Sequence, residues 1–160
     1  MREHARAGDL RVADAMTQGP LVIPHTATVA EVVERYMRPN RFAAFPIADA
    51  CGRTVGLTTV RRMAELPRES WSATPVVAAA ATPAEIVECA PQDRLHDVAA
   101  RLQSSPDRRA LVVERGRLVG ILTPSDVARA IGRAELLGQA SGAGEPGRGR
   151  APGETSTGIA

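Results

Sequence analysis

The chain has 160 residues, of which 44% are hydrophobic, so it can form one sizeable core or two small fused cores. Its 20 basic and 18 acidic residues give a net charge of +2, which indicates neither a nucleic-acid-binding surface nor an acidic tail. No run approaches the ~18 apolar residues of a membrane span, and the charged amino terminus is unlike a signal peptide. We therefore expect a cytoplasmic protein that binds no nucleic acid and inserts no segment of its own into a membrane.

An internal repeat organises the chain. Residues 21–37 align with residues 87–103 at a constant offset of 66, and each copy passes from a short apolar run through polar turn residues to a helical pattern. In the first copy, Thr28 and Glu31 form the pattern of a capping box at the helix start. In the second copy, Asp93 is available as the cap. Pro39 and Pro106 are expected to end the two helices at nearly equivalent places.

Each of these helices is followed by a pair of apolar runs, AAFPIAD with TVGLTT in copy one and RALVVER with RLVGILT in copy two. The offset drops to 64 where DACGR is replaced by the tighter ERGR, as a hairpin loop would tolerate, so each pair is predicted to be an antiparallel hairpin. A second helix is predicted after each hairpin, over about 60–66 and 125–131, ended by Pro67 and Gly132 respectively.

The predicted fold class is α/β of the mixed α+β type, with two β-α-β-β-α repeats packed sheet to sheet about a pseudo-twofold axis. One copy of roughly 50 residues buries little surface alone, so the two copies must pack together. Repeat one is predicted over 10–66 and repeat two over 85–137, joined by a linker over 67–84. Residues 138–160 are rich in Gly, Ala, Pro and Ser and are predicted to be a disordered tail.

Across residues 10–137 the chain resembles a tandem pair of CBS domains, also called a Bateman module. The features that carry the resemblance are VADAMT, FPIAD followed by GRTVGLTT, and ALVVERGRLVGILTPSDVARAI. In that family, a motif of Gly, two apolar residues, Ser or Thr, two further residues and Asp marks an adenosine-nucleotide site. The Asp bonds the ribose hydroxyls, and the hydroxyl residue lies near the phosphate.

The resemblance implies a nucleotide site in copy two for AMP, ADP or ATP. The two cysteines and three histidines have no zinc-ligand spacing, so no metal is expected in this chain. Glycine permits close backbone approach, a helix start offers free N–H groups to a phosphate, and arginine is a planar phosphate donor. The implied nucleotide-binding residues are Gly120, Thr123, Ser125, Asp126, Arg108 and Arg109.

Four of these assignments have a structural alternative. Thr123 and Asp126 also fit a capping box, so they could serve only to start the helix. Arg108 and Arg109 could belong to a solvated turn. In copy one, Arg62 stands where the ribose-binding Asp should be, and Arg cannot accept a hydrogen bond from a ribose. We therefore expect at most one well-formed nucleotide site per chain.

No catalytic pattern accompanies this site. The sequence lacks HExxH, GxSxG and the Walker-type phosphate loop, and it contains no lysine for a Schiff base. His25 and His96 have no nucleophile with an orienting carboxylate, and Cys51 and Cys89 form no CxxC pair. We expect a regulatory module without enzymatic activity and with free thiols.

A narrower resemblance concerns a longer parent protein. Residues 35–76 are similar to the cytosolic CBS pair of actinobacterial site-2-type intramembrane zinc metalloproteases, which implies a module tethered to a membrane-embedded parent. The leading hypothesis is a nucleotide sensor, and the alternative is a ligand-free interaction module. In either case we expect a homodimer, because the amphipathic helices leave apolar faces that the sheets cannot cover.

Overall fold

The computed structural model describes residues 6–142, with side chains described through residue 138. In chain order the strands are β1 (Thr17–Gln18), β2 (Ile23–Pro24), β3 (Ala44–Ala48), β4 (Thr54–Thr59), β5 (Ala80–Ala81), β6 (Val87–Cys89), β7 (Ala110–Glu114) and β8 (Arg117–Leu122). The helices are α1 (Val12–Ala15), α2 (Val29–Glu31, continued by π-helical turns over Val32–Met37), α3 (Val60–Ala64), α4 (Leu95–Ser104) and α5 (Pro124–Gly142). Short 3-10 turns cover Ala7–Asp9, Arg68–Ser70, Val76–Ala79 and Pro83–Glu85.

The strands form two four-stranded sheets of equivalent design. One has the order β2-β3-β4-β5 and the other β1-β8-β7-β6. In each sheet the first strand of the repeat pairs in parallel with the second, and the second pairs with the third as an antiparallel hairpin. The two β-α-β-β-α repeats and the mixed α+β fold class are therefore confirmed.

Each sheet is completed by a strand that precedes the parallel strand pair of the other sheet in the chain. β1 lies just before β2 but pairs antiparallel with β8 of repeat two, whereas β5 lies just before β6 and pairs antiparallel with β4 of repeat one. A glycine at the equivalent place in each repeat permits this pairing. A Cβ on Gly120 would lie 3.0 Å from the Thr17 carbonyl oxygen, and one on Gly56 would lie 3.1 Å from the Ala81 carbonyl oxygen. The two repeats are therefore interlocked through their edge strands.

The hydrophobic cores show the same exchange. The core of repeat one is built on Phe45 and Ile47 but includes Val76 from the segment between the repeats. The core of repeat two includes Leu10 and Val12, which lie ahead of β2 near the amino-terminal end of the chain. Each core is thus closed by residues from outside its own repeat.

Of the two predicted helix caps, one is confirmed and one is wrong. The Glu31 N–H donates to the Thr28 Oγ1, and the Thr28 N–H donates to a Glu31 carboxylate oxygen, each at 3.2 Å. Asp93, however, does not cap α4, because its carboxylate accepts from the Ala90 N–H at 2.8 Å and Arg94 occupies the cap position. Asp93 instead closes the turn that leads into the helix.

The predicted end of the last helix at Gly132 is also wrong, because α5 continues to Gly142. A single glycine costs a helix only about 1 kcal/mol relative to alanine, and the following residues, RAELLGQA, contain strong helix formers. Residues 138–142 of the predicted disordered tail are therefore helical, and residues 143–160 lie outside the described part of the chain. Among the described helices, none has the length and apolar character needed to cross a bilayer.

Candidate functional site

A cavity of about 350 Å³, called cleft 1 here, lies between the two repeats. Repeat one contributes the loop that leads into β3, while repeat two contributes the end of β8 and the start of α5. The exchanged strand β1 contributes as well, so the cleft exists only where the two repeats meet. Its lining residues are Thr17, Pro20, Leu21, Arg41, Phe42, Ala43, Ala44, Arg109, Ile121, Thr123, Asp126 and Arg129.

Asp126 is the buried acceptor of cleft 1, with only 7% of its surface exposed. Its Oδ2 accepts from the Thr123 N–H at 2.9 Å and from the Thr123 hydroxyl at 3.0 Å. The Asp126 N–H in turn donates to the Thr123 Oγ1 at 3.2 Å, which completes a capping box at the start of α5. The capping role suggested by the sequence is therefore present.

The second oxygen of Asp126 is held far less tightly. The hydroxyl of Thr17 on β1 donates to Oδ1 at 3.4 Å, and a guanidinium nitrogen of Arg129 lies 3.6 Å from it. Both distances are at the long end for a charge-assisted contact. Because one oxygen serves the cap and the other retains accepting capacity, capping and ligand binding do not exclude each other at this residue.

The rest of cleft 1 is basic and partly aromatic. Arg41 from repeat one and Arg109 and Arg129 from repeat two line the same cleft as Asp126. The Arg129 side chain is 76% exposed, so it can turn from Asp126 toward a ligand. Phe42 lines the same cleft with 49% of its surface exposed, which leaves its ring available for stacking. The cleft therefore offers one buried acceptor, several cationic donors and an aromatic face.

The structure brings together only part of the predicted site. Thr123, Asp126 and Arg109 line cleft 1, whereas Gly120 and Ser125 are not among its lining residues. The close approach that Gly120 permits is made by the backbone of β1. Arg108, with a left-handed φ of 50°, lines a neighbouring cavity instead.

That neighbouring cavity, called cleft 2 here, has a volume of about 810 Å³ and also lies between the repeats. Beside it, the Arg62 guanidinium bonds the Asp107 carboxylate through two parallel contacts of 3.0 Å each. The hydrogen bonds that the Arg62 guanidinium donates to Asp107 raise the pKa of Arg62 above its ordinary value. Arg62 occupies the position equivalent to Asp126, and in the structure it forms an ion pair with Asp107 of the other repeat.

The residues of these two clefts that were not predicted from the sequence include Thr17, Arg41, Phe42, Asp107 and Arg129. The spacing of Arg129, three residues after Asp126 on a helix, is a signal that could have found it. Arg41 and Asp107 are equivalent at the offset of 66, so comparing their opposite charges would have drawn attention to both. Thr17 belongs to the VADAMT segment, but only the strand exchange brings it to Asp126.

The described part of the chain contains no cluster of three or more His, Cys, Asp or Glu that could hold a metal ion. Cys51 is exposed and Cys89 is buried, and both are free thiols. Burial raises the pKa of the Cys89 thiol to about 11. These groups lie outside both clefts and add no catalytic constellation to them.

Comparison with curated proteins relates the chain to a zinc metalloprotease. It is 37% identical over 123 residues to the candidate zinc metalloprotease Rip3 of Mycobacterium tuberculosis, a match that covers 76% of this chain and 31% of Rip3. The chain thus spans about a third of the length of this relative.

Solved structures with the same fold include nucleotide complexes. CBSX2 of Arabidopsis thaliana in complex with AMP matches with a TM-score of 0.67 and 23% identity, covering 78% of this chain and 98% of CBSX2. The CBS domain of a bacterial CNNM/CorC-family Mg²⁺ transporter in complex with ATP matches with a TM-score of 0.67 and 19% identity, covering 78% and 89% of the two chains. The model of the CBS domain itself matches twice, over residues 12–69 and 75–133. With a repeated fold and two family matches in tandem, this chain belongs to the CBS-domain family as a CBS pair.

Proposed function

We propose that this CBS pair is a regulatory module that binds AMP, ADP or ATP in cleft 1. The observation that carries the proposal is the buried Asp126 carboxylate, which lines a cleft that also holds three arginines. An acceptor for a sugar diol and several donors for phosphate are the two chemistries that a nucleotide requires.

The residues of cleft 1 divide between the parts of such a ligand. Oδ1 of Asp126 would accept from the ribose hydroxyls, and the exposed ring of Phe42 would stack on the adenine. Arg109, Arg129 and Arg41 would bind phosphate oxygens, since a guanidinium offers two parallel donors. Thr123 would hold the Asp126 carboxylate in place through its bonds to Oδ2.

The other residues predicted for this site would act indirectly. Gly120 would keep β1, and with it Thr17, close to the cleft. Ser125 stands at the start of α5, and Arg108 would add positive potential from cleft 2. The AMP and ATP complexes of the structural relatives support a nucleotide as the ligand of this fold.

We also propose that the module regulates a membrane-embedded zinc metalloprotease from the cytoplasmic side of the membrane. The similarity to Rip3 supports such a parent. Regulation then requires that the nucleotide bind two states of the module with different affinities, because a ligand shifts an equilibrium only by that difference.

Calorimetric titration with AMP, ADP, ATP and S-adenosylmethionine tests the proposal, with Asp126→Ala and Asp126→Asn as variants. Charge-assisted hydrogen bonds are worth about 1.5–3 kcal/mol, so Asp126→Ala should weaken nucleotide binding by about tenfold or more. Asp126→Asn should keep most of the capping and melt close to the parent, but it should bind weakly because it loses the charge. S-adenosylmethionine, which is cationic at sulfur and lacks phosphate, should bind least.

Asp93→Asn serves as the matched control, because Asp93 also accepts a backbone N–H in a turn but lies outside cleft 1. It should leave nucleotide affinity unchanged. If both Asp126 variants bind all the nucleotides as the parent does, the ribose role is wrong.

The second candidate function is a ligand-free interaction module that joins two copies of the parent chain. The capping bonds of Asp126 favour it, because they explain this buried carboxylate without any ligand. Leu136 on α5, with 69% of its surface exposed, is an apolar side chain that a second copy could cover. This function predicts a homodimer in sedimentation at tens of micromolar and no heat from any nucleotide.

A further inference from the structure

The Arg62–Asp107 pair joins the two repeats at one point. Arg62 lies on α3 of repeat one, while Asp107 lies in the loop before β7 of repeat two. Both contacts measure 3.0 Å, and the side chains are only 28% and 12% exposed. A bidentate pair with little exposure has a fixed geometry and is screened less than a surface pair. It can therefore hold the repeats in a defined arrangement.

The pair occupies the position that corresponds to Asp126 and Arg41 on the other side of the pseudo-twofold axis. Arg62 is equivalent to Asp126 at the offset of 64, and Asp107 is equivalent to Arg41 at the offset of 66. Even the local cap is repeated, because the Arg62 N–H donates to the Thr59 Oγ1 at 3.1 Å as the Asp126 N–H does to Thr123. The signs of the helix and loop charges are thus exchanged between the two clefts.

The exchange of charge signs leads to different contacts at the two clefts. Beside cleft 2 the helix charge and the loop charge bond each other directly. At cleft 1, Asp126 bonds Thr123, Thr17 and Arg129, while Arg41 is an exposed residue of the lining. Asp107 is also the single carboxylate among the residues that line cleft 2, and Arg62 already occupies both of its oxygens.

The loop that carries Asp107 also reaches cleft 1. The Arg109 guanidinium donates to the main-chain carbonyl oxygen of Asp107 at 2.8 Å, and Arg109 lines both clefts. Fixing Asp107 against Arg62 therefore fixes the residue that anchors Arg109. This makes Arg62 and Asp107 positioning residues for the cationic wall of cleft 1.

We propose that the Arg62–Asp107 pair is a permanent clasp that stands in place of a second ligand. It closes the module on one side, limits it to one nucleotide per chain and holds Arg109 in position for the phosphate in cleft 1. The stoichiometry and the role of Arg109 rest on the proposed function, whereas the clasp itself does not.

A thermal-unfolding cycle tests the clasp without any nucleotide. Arg62→Gln and Asp107→Asn should each lower the melting temperature by several degrees. Each variant leaves the remaining charged partner largely buried and without its counter-charge. The double variant should melt no lower than the worse single variant, and Arg62→Asp combined with Asp107→Arg should recover much of the loss. Arg61→Gln is the matched control, since Arg61 is 85% exposed and should have no effect. Purely additive losses with no recovery would overturn the clasp.

Calorimetry with AMP and adenosine tests its action on cleft 1. The parent should bind one AMP per chain. Asp107→Asn should weaken the affinity for AMP by about threefold or more and leave the affinity for adenosine nearly unchanged. An equal loss for both ligands would mean that the pair acts only through general stability, and two AMP per chain would disprove the limit. If the parent binds neither ligand, the proposed function and these two consequences fail, and the melting cycle alone decides the clasp.

Discussion

The two repeats have the same order of strands and helices but opposite charges at equivalent positions. Each has a parallel pair, a hairpin, a glycine under an exchanged strand and a threonine that caps the second helix. After that threonine, however, repeat one places Arg62 where repeat two places Asp126. The comparison teaches that the repeated fold fixes where a side chain points, while the identity of the side chain decides which contacts are made at that position.

The largest effect is expected from removing the exchanged amino-terminal segment. Deleting residues 1–18 removes β1 together with Leu10 and Val12, which are 7% and 0% exposed in the core of repeat two. Two buried aliphatic side chains are worth about 3–6 kcal/mol, so the melting temperature should fall by about 10 °C or more. Circular dichroism on heating would measure this change.

Hydrogen exchange would show where the loss falls. Amides of β7 and β8 should lose protection more than those of β3 and β4, because β1 pairs only in the sheet of repeat two. Equal loss in both hairpins, or an unchanged melting temperature, would contradict the exchanged arrangement as a stabilising feature.

A smaller effect is expected from replacing the two equivalent glycines, Gly56 and Gly120, with a larger residue. Gly120→Val and Gly56→Val should each destabilise by about 1–3 kcal/mol, because the added carbons meet the backbone of the exchanged strand. Gly132→Ala is the matched control: no atom lies within 4 Å of its added Cβ, and it should stabilise α5 by about 0.5–1 kcal/mol. Urea denaturation measures all three, and neutral valine variants would show that the sheets accept a wider separation.

The smallest effect on the protein is expected from alkylation, which should distinguish the two cysteines by their rates of reaction. Cys89 in β6 is buried, and its thiol pKa is raised to about 11 from 9.0, whereas Cys51 in the hairpin turn of repeat one is exposed. At pH 8 iodoacetamide should therefore modify Cys51 at least about a hundredfold faster than Cys89, because the thiolate is the nucleophile. Mass spectrometry counts the labels, and two rapid labels in the native protein would contradict the burial of Cys89.

The raised pKa of the Cys89 thiol also predicts that stability falls as the pH rises into the alkaline range. The unfolded chain releases the Cys89 proton near pH 9, whereas the folded chain keeps it until about pH 11. The contribution of Cys89 to stability is therefore complete below pH 9 and is lost as the pH rises through this interval. Cys89→Ala should remove that part of the alkaline loss.

The repeats, both hairpins and the first capping box could be predicted because their signals are local or periodic. β1 and β5 could not, since two residues carry no alternation and both strands pair with a distant segment. Gly132 and Asp93 were misassigned for a related reason: glycine only weakens a helix, and a carboxylate near a helix start has several N–H groups to choose from.

The candidate site was predictable where it follows a family motif and not where it forms between repeats. Thr123 and Asp126 share one turn of chain, so their association was visible in sequence. Arg41 reaches cleft 1 only because the repeats meet there, and Arg108 points into the other cleft although it adjoins Arg109. Contacts across a pseudo-twofold axis depend on the packing of both halves, which local spacing does not encode.

The exchanged edge strands determine the order in which the two sheets can be completed during synthesis. The sheet of repeat one requires only residues up to Ala81 and can be completed while the rest of the chain is still being translated. The sheet of repeat two requires Thr17 and Gln18, which have no partner until β8 leaves the ribosome about a hundred residues after them. At a few to tens of residues per second, β1 and the core residues Leu10 and Val12 must wait for seconds in the nascent chain. The amino-terminal segment is thus the last to be secured, and it is where a chaperone or a misplaced partner strand would compete with the native fold.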